Sequence, residues 1–236
     1  MSASGPLGDI RSSLAKKADA RYREQIERLV PGIRTLGVRV PDIRAIAAAF
    51  AKANRDLDLD GACDILDAAC REGSRDEMLV GCFVVARFRR GLKDLAWPRI
   101  LTWLKAVDNW ETCDQIAMAI AMPAIAANPT RLRDLAKLTA DTRVWARRFA
   151  MAASAALNQG GRDMPEETIA VCAKLFADPE PMVQKSVAWA LREVSRKHPE
   201  RVLAILRENR GNMAPKVLRE ASEKLPPKDR AALLGK

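Results

Sequence analysis

Short segments of helical periodicity, separated at regular intervals by proline and glycine, dominate this sequence of 236 residues. Alternating apolar and polar runs, which mark β-strands, are nearly absent, whereas Ala, Leu, Arg, Lys and Glu recur with a helical period. Pro41, Pro98, Pro129, Pro165 and Pro199 stand where the first turn of a helix begins, a position that proline tolerates. The pattern predicts an all-α protein.

The predicted helices are short and are joined in pairs by short loops. About a dozen such helices are too many for a four-helix bundle. They favour an array of stacked helical hairpins. Trp110, Arg148 and Trp189 are separated by 38 and 41 residues, which is close to the period of HEAT-like repeats. We therefore predict one HEAT-like domain over residues 1–236, an α-α superhelix with a concave basic face. The predicted helices cover residues 6–28, 41–54, 58–71, 75–90, 98–107, 110–122, 129–139, 142–157, 165–177, 181–197, 199–208 and 214–224.

Charge and composition narrow the class of function. Forty Lys and Arg against thirty Asp and Glu give a net charge of +10, which favours a polyanionic partner. A single histidine, His198, disfavours Ser-His-Asp hydrolysis and histidine metal sites. The five cysteines contain no CxxC pair, so we expect reduced thiols and no metal site.

The sequence offers no obvious membrane or export segment. The first residues, MSASGPLGDIRSS, have no apolar core, and the longest uncharged stretch, 115–130, is short and contains Pro123. We therefore expect a cytoplasmic, nucleoid-associated monomer without a membrane partner.

One predicted helix presents a basic face with a tryptophan in its middle. Residues 181–198 read PMVQKSVAWALREVSRKH, and four side chains at i, i+4, i+7 and i+11 share one side, namely Lys185, Trp189, Arg192 and Arg196. The opposite side is predicted to face the core through Val183, Val187, Ala190, Leu191 and Val194. An ordinary solvated face with an incidental tryptophan is one interpretation. A nucleic-acid backbone that covers the indole is the other.

Arginines also mark the helix predicted over residues 142–157. Arg143 and Arg147 form one i, i+4 stripe, while Trp145 and Arg148 form an i, i+3 pair. Trp145 alone is typical of a core residue. A guanidinium at Arg148, flanked by apolar residues, is costly to bury, so we expect a phosphate or an internal carboxylate as its partner.

Trp110 and Asp114 stand four residues apart in DNWETCDQ, so the indole and the carboxylate share a helix face. A surface acid beside a partly buried tryptophan is the alternative. In a basic groove, however, a carboxylate repels phosphates and persists best where it meets positive charge.

That arrangement suits a particular reaction. A base alkylated at a ring nitrogen is cationic and leaves without protonation by a histidine. Cleavage develops positive charge on the sugar, which a carboxylate stabilises while it orients a water. Each indole adds cation–π attraction of about 0.5–2 kcal/mol. Asp114, Trp110, Trp189 and Arg148 are thus candidates for a glycosylase site that uses neither a metal nor an organic cofactor.

Several segments resemble the AlkD-type DNA alkylation-repair glycosylases, an all-helical family of HEAT-like repeats. The strongest matches are NWETCD at 109–114, VWARRFAM at 144–151, QKSVAWALRE at 184–193 and LGVRVPDIR at 36–44, with weaker ones at 20–22 and 213–221. The resemblance spans most of the chain. After Trp110 the chain has Glu111, where the family often has Asp.

The resemblance implies roles for individual residues. The catalytic carboxylate falls on Asp114, the two lesion-flanking tryptophans on Trp110 and Trp189, the DNA-contacting arginine on Arg148 and the N-terminal tyrosine on Tyr22. It implies a monofunctional glycosylase that hydrolyses the N-glycosidic bond of N3- and N7-alkylated purines in duplex DNA, a step of base excision repair. Further expected DNA contacts are Arg39, Arg143, Arg147, Lys185, Arg192 and Arg196.

Two other functions fit the same sequence. A HEAT-like protein without glycosylase activity would bind damaged or branched DNA by its shape. A HEAT-like interaction scaffold would bind an acidic protein partner. Fold alone does not choose among the three, because helical repeats carry many functions.

Overall fold

The computed structural model describes residues 7–235, and every regular element in that range is helical. The all-α prediction is therefore confirmed. By its internal contacts the chain divides into two compact units, residues 1–127 and 128–236. The single HEAT-like domain over residues 1–236 stays a prediction.

The first unit is built around one almost fully buried helix. Its helices are α1 (Gly8–Ala15), α2 (Ala20–Leu29), α3 (Val40–Ala53), α4 (Leu59–Glu72), α5 (Arg75–Val85), α6 (Trp97–Ala106), α7 (Trp110–Gln115) and α8 (Met122–Ala127). α5 packs on α3, α4 and α7, and α4 packs on α6. Ser74 and Glu77 form a capping box at the start of α5, so its first-turn N–H groups are satisfied inside the unit.

A π-helical segment joins α7 to α8. Residues Ile116–Ala121 continue α7 without a break, and the N–H of Met122 bonds the carbonyl of Ala117, five residues back. Pro123 follows at once. Proline cannot donate a hydrogen bond, and its ring crowds the carbonyl four residues before it, so a wider turn accommodates it within one continuous helix over 110–127.

The second unit contains α9 (Arg131–Leu138), α10 (Val144–Ala156), α11 (Pro165–Ala173), α12 (Pro181–Ser195), α13 (Pro199–Glu208), α14 (Pro215–Ala221) and α15 (Pro227–Leu234). α10 packs on α12 and α12 packs on α14, whereas α11 and α13 each pack on α12. One row of helices, α10, α12 and α14, therefore carries the basic segments of this unit.

Three predictions of local structure need correction. The helix predicted over 6–28 is two helices, because Asp19 caps α2 by accepting from the N–H of Tyr22 at 3.0 Å; its predicted start at residue 6 lies outside the described residues. α15 was not predicted. The repeat is also shorter than Trp110, Arg148 and Trp189 suggested, since these occupy the first, fifth and ninth positions of their helices.

The fifth residues of four helices are spaced more closely. They are Asp114 in α7, Arg148 in α10, Lys185 in α12 and Arg219 in α14. These residues are 34, 37 and 34 positions apart along the chain. Each of the four helices thus carries a charged residue at its fifth position.

The cysteines are free thiols, as expected. Burial raises the pKa of Cys63 to about 11 and the pKa values of Cys70 and Cys172 to about 12. These thiols are therefore protonated and poorly nucleophilic at neutral pH. Within residues 7–235, no helix combines the length and the apolar character that crossing a membrane requires.

Candidate functional site

Helix α7 carries both the predicted indole and the predicted carboxylate. Asn109 caps this helix by accepting from the N–H of Thr112 at 3.0 Å. Trp110 is the first helical residue and is 37% exposed, although most large apolar side chains of the unit are buried. Asp114, half-buried, follows one turn later, so the two side chains leave the same side of the helix.

Trp110 also shares a small cavity with Tyr22. The cavity, of about 100 Å³, is lined by Tyr22, Gln25, Ile26, Leu29, Val30, Ile33, Asn109, Trp110 and Glu111. The guanidinium of Arg39 lies over the Tyr22 ring, 4.6 Å from its centroid, and pairs with Asp19 at 3.3 Å. The structure thus brings together three predicted residues of the first unit: Trp110, Tyr22 and Arg39.

Asp19 is fixed as an anion in this arrangement. The N–H of Tyr22 donates to its carboxylate, and Arg39 lies beside it; both lower the pKa of Asp19 below its ordinary value. Because the carboxylate binds the start of α2 and the guanidinium together, it orients the tyrosine toward the cavity.

A buried ion network lies directly behind Trp110. The Arg75 side chain is fully buried; its Nε donates to Glu111, and its Nη1 donates to Asp76 at 3.0 Å and to the carbonyl of Val38 at 3.1 Å. Burial alone would lower the pKa of Arg75, but the hydrogen bond and the charge of Glu111, with the charge of Asp76, raise it overall. Arg75 therefore stays protonated, and its bond to Glu111 holds the first turn of α7 in place.

The same network closes the loop before α3. Asp76 accepts from the Thr35 hydroxyl and the Leu36 N–H, both at 2.7 Å, and from the Val38 N–H at 3.0 Å. Gly37 has φ +74°, and a Cβ there would lie 2.3 Å from the carbonyl oxygen of Asp19. The glycine in LGVRVPDIR is thus required for the loop to approach α2.

Sequence reasoning missed this network, since Arg75 and Glu111 are 36 residues apart. One local signal was available. The segment SRDE at 74–77 is a capping-box pattern before an apolar run, which marks a helix whose charged start is drawn toward the core.

In the second unit, α12 is amphipathic in the predicted sense. Its core side is confirmed: Val183, Val187, Ala190, Leu191 and Val194 are buried. On the other side Lys185 and Arg196 are exposed and Arg192 is half-buried. Trp189 is also half-buried and packs against the hydrophobic core, so its ring is covered on one side by protein.

Two of these cations have acidic partners nearby. Arg192 pairs with Glu223 at 2.8 Å, and Arg196 pairs with Glu193 at 3.1 Å. The side chains of Arg192 and Glu223 are 27% and 42% exposed. Such exposed pairs contribute about 0–1 kcal/mol each, so a stronger anion can displace the carboxylate.

The arginines of α10 are more deeply placed than those of α12. Arg148 is 5% exposed, and its Nη1 donates to the carbonyl of Met182 at 2.8 Å. Arg147 donates to Asp178 at 2.7 Å and to the main-chain carbonyls of Asp141 and Thr142. The donors of Arg147 are thus engaged within the second unit.

Arg143 lies at the exposed start of α10. Its guanidinium forms two hydrogen bonds to Asp141, at 3.0 and 2.7 Å. Among residues 7–235, no group of three or more His, Cys, Asp or Glu side chains is placed to bind a metal ion.

Solved structures from two bacteria share this fold. A predicted DNA alkylation repair enzyme from Enterococcus faecalis has a TM-score of 0.72 and 17% identity, covering 89% of this chain and 98% of that one. AlkD2 from Streptococcus mutans has a TM-score of 0.54 and 18% identity, covering 86% and 99%. At these identities the likeness establishes the fold, and it agrees with the HEAT-like prediction.

Comparison with protein families identifies the family of this chain, in addition to its fold. No curated protein matches the sequence significantly. Residues 10–225, however, match the family described as DNA alkylation repair enzyme. The match covers most of both units, so the chain belongs to the DNA alkylation repair enzyme family.

Proposed function

We propose that this protein is a monofunctional DNA glycosylase that releases N3- and N7-alkylated purines from duplex DNA. The observation that carries the proposal is that the Trp110 and Asp114 side chains leave one side of α7. The chain also belongs to a DNA alkylation repair family. The half-exposed indole and the carboxylate one turn away supply the two interactions that a cationic nucleoside needs.

Asp114 acts on the sugar in this mechanism. As the bond between C1′ and the purine nitrogen breaks, its electron pair passes to the ring and neutralises the positive charge of the base. The carboxylate of Asp114 stabilises the positive charge that develops on the sugar, and a water adds to C1′. The proton of that water passes to the carboxylate and then to solvent, while Trp110 contacts the cationic base or sugar with its ring.

The second unit supplies cations for the phosphate backbone of DNA. Lys185 and Arg196 are exposed, and Arg192 and Arg143 pair with acids, the exposed Glu223 and the half-buried Asp141, that phosphate can replace. Arginine binds phosphate through two parallel hydrogen bonds, whereas lysine acts as a compact charge. Trp189, covered on one side by the core, offers an indole edge between these cations.

Asp114→Asn tests the proposal. We expect release of methylated purines from treated duplex DNA to fall by about a hundredfold or more, because the charge facing the sugar is lost. Binding to the same duplex stays equal or becomes stronger, since one charge that repels phosphate is removed. Free base release and equilibrium binding are measured on the same preparations, with Asp56→Asn, an exposed acid of the same unit, as the matched control.

Two results would contradict the proposal. Full release by Asp114→Asn removes the carboxylate from the mechanism. Tight, salt-sensitive DNA binding by the wild type without release of any methylated base assigns the chain to DNA binding alone.

A further inference from the structure

The turn after α5 holds a compact group of cations that the proposed glycosylase site does not use. Residues 87–93 read RFRRGLK, and Arg87, Arg89, Arg90 and Lys93 are all exposed. We call these four residues the basic turn. Among residues 7–235, none of the four has an acidic side chain as a partner, whereas other arginines of the first unit, such as Arg99, do.

The structure holds this turn in place. The N–H groups of Gly91 and Leu92 bond the carbonyl of Phe88 at 2.9 and 3.2 Å. A Cβ at Gly91 would lie 2.8 Å from the end of the Leu59 side chain, so the turn packs closely against the start of α4. The short helix Leu92–Asp94 then packs on α8. The cations therefore extend from a fixed backbone.

The arginines surround a shallow depression of about 390 Å³, lined by Leu59, Arg87, Phe88, Arg89, Arg90 and Gly91. One cation at the end of α5 is explained by the helix dipole, which favours positive charge there. Three guanidiniums within four residues exceed that need and repel one another. Neighbouring anionic groups relieve the repulsion, and each guanidinium can bind a phosphate through two hydrogen bonds.

We propose that the basic turn is a second contact surface for the phosphate backbone of DNA. The identity of the ligand rests on the proposed function; the surface itself rests on the clustering, exposure and lack of acidic partners of these cations. It belongs to the first unit, whose remaining charges nearly cancel, and lies apart from the turn of α7 that carries Asp114.

The position of the turn predicts which part of the duplex it contacts. It packs through Leu92–Asp94 on α8, which starts eight residues beyond Asp114 in the same continuous helix. That separation corresponds to about 12 to 20 Å along the helix, or about four to six base pairs of duplex. A duplex that runs along this helix would meet the basic turn on one side of the damaged nucleotide.

The triple variant Arg87→Gln/Arg89→Gln/Arg90→Gln tests this surface by equilibrium binding to a long undamaged duplex over a range of salt concentrations. The slope of log Kd against log salt is expected to fall by about 2 to 3, and binding at 0.1 M salt to weaken by at least about tenfold. The matched control is Lys16→Gln/Lys52→Gln/Arg71→Gln, which removes the same charge from scattered, exposed positions of the same unit and should change the slope by less than 1.

Duplexes with an abasic-site analogue sharpen the test. When the flank on one side of the analogue is shorter than the distance to the basic turn, wild type and triple variant should bind equally. Shortening the other flank should leave their difference intact.

The outcomes separate this inference from the proposed function. A triple variant with the wild-type slope, or a control variant that loses as much, overturns the basic turn as a DNA contact, while base release by the wild type is unaffected by either result. Absence of any DNA binding by the wild type overturns both proposals.

Discussion

The two units use charge in different ways. The first unit has 19 Lys and Arg against 17 Asp and Glu, and its central ion network around Arg75 is buried. The second has 21 against 13, and most of its ion pairs lie at the surface. Buried pairs cannot be exchanged without unfolding, whereas exposed pairs can be replaced by another anion. The central network of the first unit is thus fixed, whereas most ion pairs of the second unit are open to exchange.

Breaking a buried ion pair costs more than breaking an exposed one because water can hydrate only the exposed ions. A buried ion that loses its partner remains in a medium of low dielectric, at a cost of about 3–5 kcal/mol. An exposed ion that loses its partner is hydrated at once, and the loss is about 0–1 kcal/mol. The comparison therefore predicts that removing a buried ion of the first unit lowers stability strongly. Removing an exposed cation of the second unit should change DNA binding instead.

Asp76→Ala should give the largest effect. The change leaves Arg75 with one fewer anion and removes the acceptor of the Leu36 N–H and of the buried Val38 N–H. We expect a loss of about 3–5 kcal/mol in the free energy of unfolding. Urea denaturation measures it, with Asp56→Ala at an exposed position as control. A loss below about 1 kcal/mol would show that the network does not support the first unit.

The second unit contains its own internal comparison. Arg147 has its donors engaged inside the unit, whereas Lys185 on α12 is exposed. Arg147→Ala should lower the free energy of unfolding by about 2–3 kcal/mol because Asp178 is left buried without its partner. Lys185→Ala should leave stability unchanged but reduce the salt slope of DNA binding by about 1. Denaturation and binding are measured on both variants, and the reverse pattern would assign the phosphate contact to Arg147.

The smallest effect is expected at Asp141. Hydrogen bonding from Arg143 lowers its pKa below the ordinary value of 3.8. A lowered pKa in the folded state stabilises the protein above pH 3.8, and this stabilisation is lost as the pH falls through the folded pKa. Asp141→Asn should therefore reduce stability by less than about 1 kcal/mol at pH 7, and the difference should shrink as the pH falls below 3.8 and through the folded pKa. Thermal unfolding of both proteins at pH 7 and below pH 3.8 checks the sign.

Local features of the fold were predictable from the sequence. Helix α13 begins and ends where it was predicted, because Pro199 fixes its first turn and the apolar period is regular. The prediction of the core-facing side of α12 was correct because its apolar period is regular as well. The neighbouring positions of Trp110 and Asp114 also follow from helix geometry alone, which is why this part of the site was accessible.

Long-range features were not predictable in this way. No proline or glycine marks the break before α2, and the capping role of Asp19 depends on its surroundings. α15 buries only Leu233 among its residues, so its apolar period is too weak to reveal it. The bond from Arg75 to Glu111 joins two helices through the core, and the pattern of neither helix contains that information.

The widened turn before Pro123 has a consequence for how this chain tolerates change. It holds about one residue more than an ordinary helical turn, and each residue of a helix rotates the following ones by about 100°. The wide turn therefore absorbs the extra residue: deleting a single alanine between Ile116 and Ala121 would restore regular winding and leave the indole and carboxylate at the start of the helix close to their present direction. A second deletion, which no wide turn remains to absorb, would rotate them by about 100°.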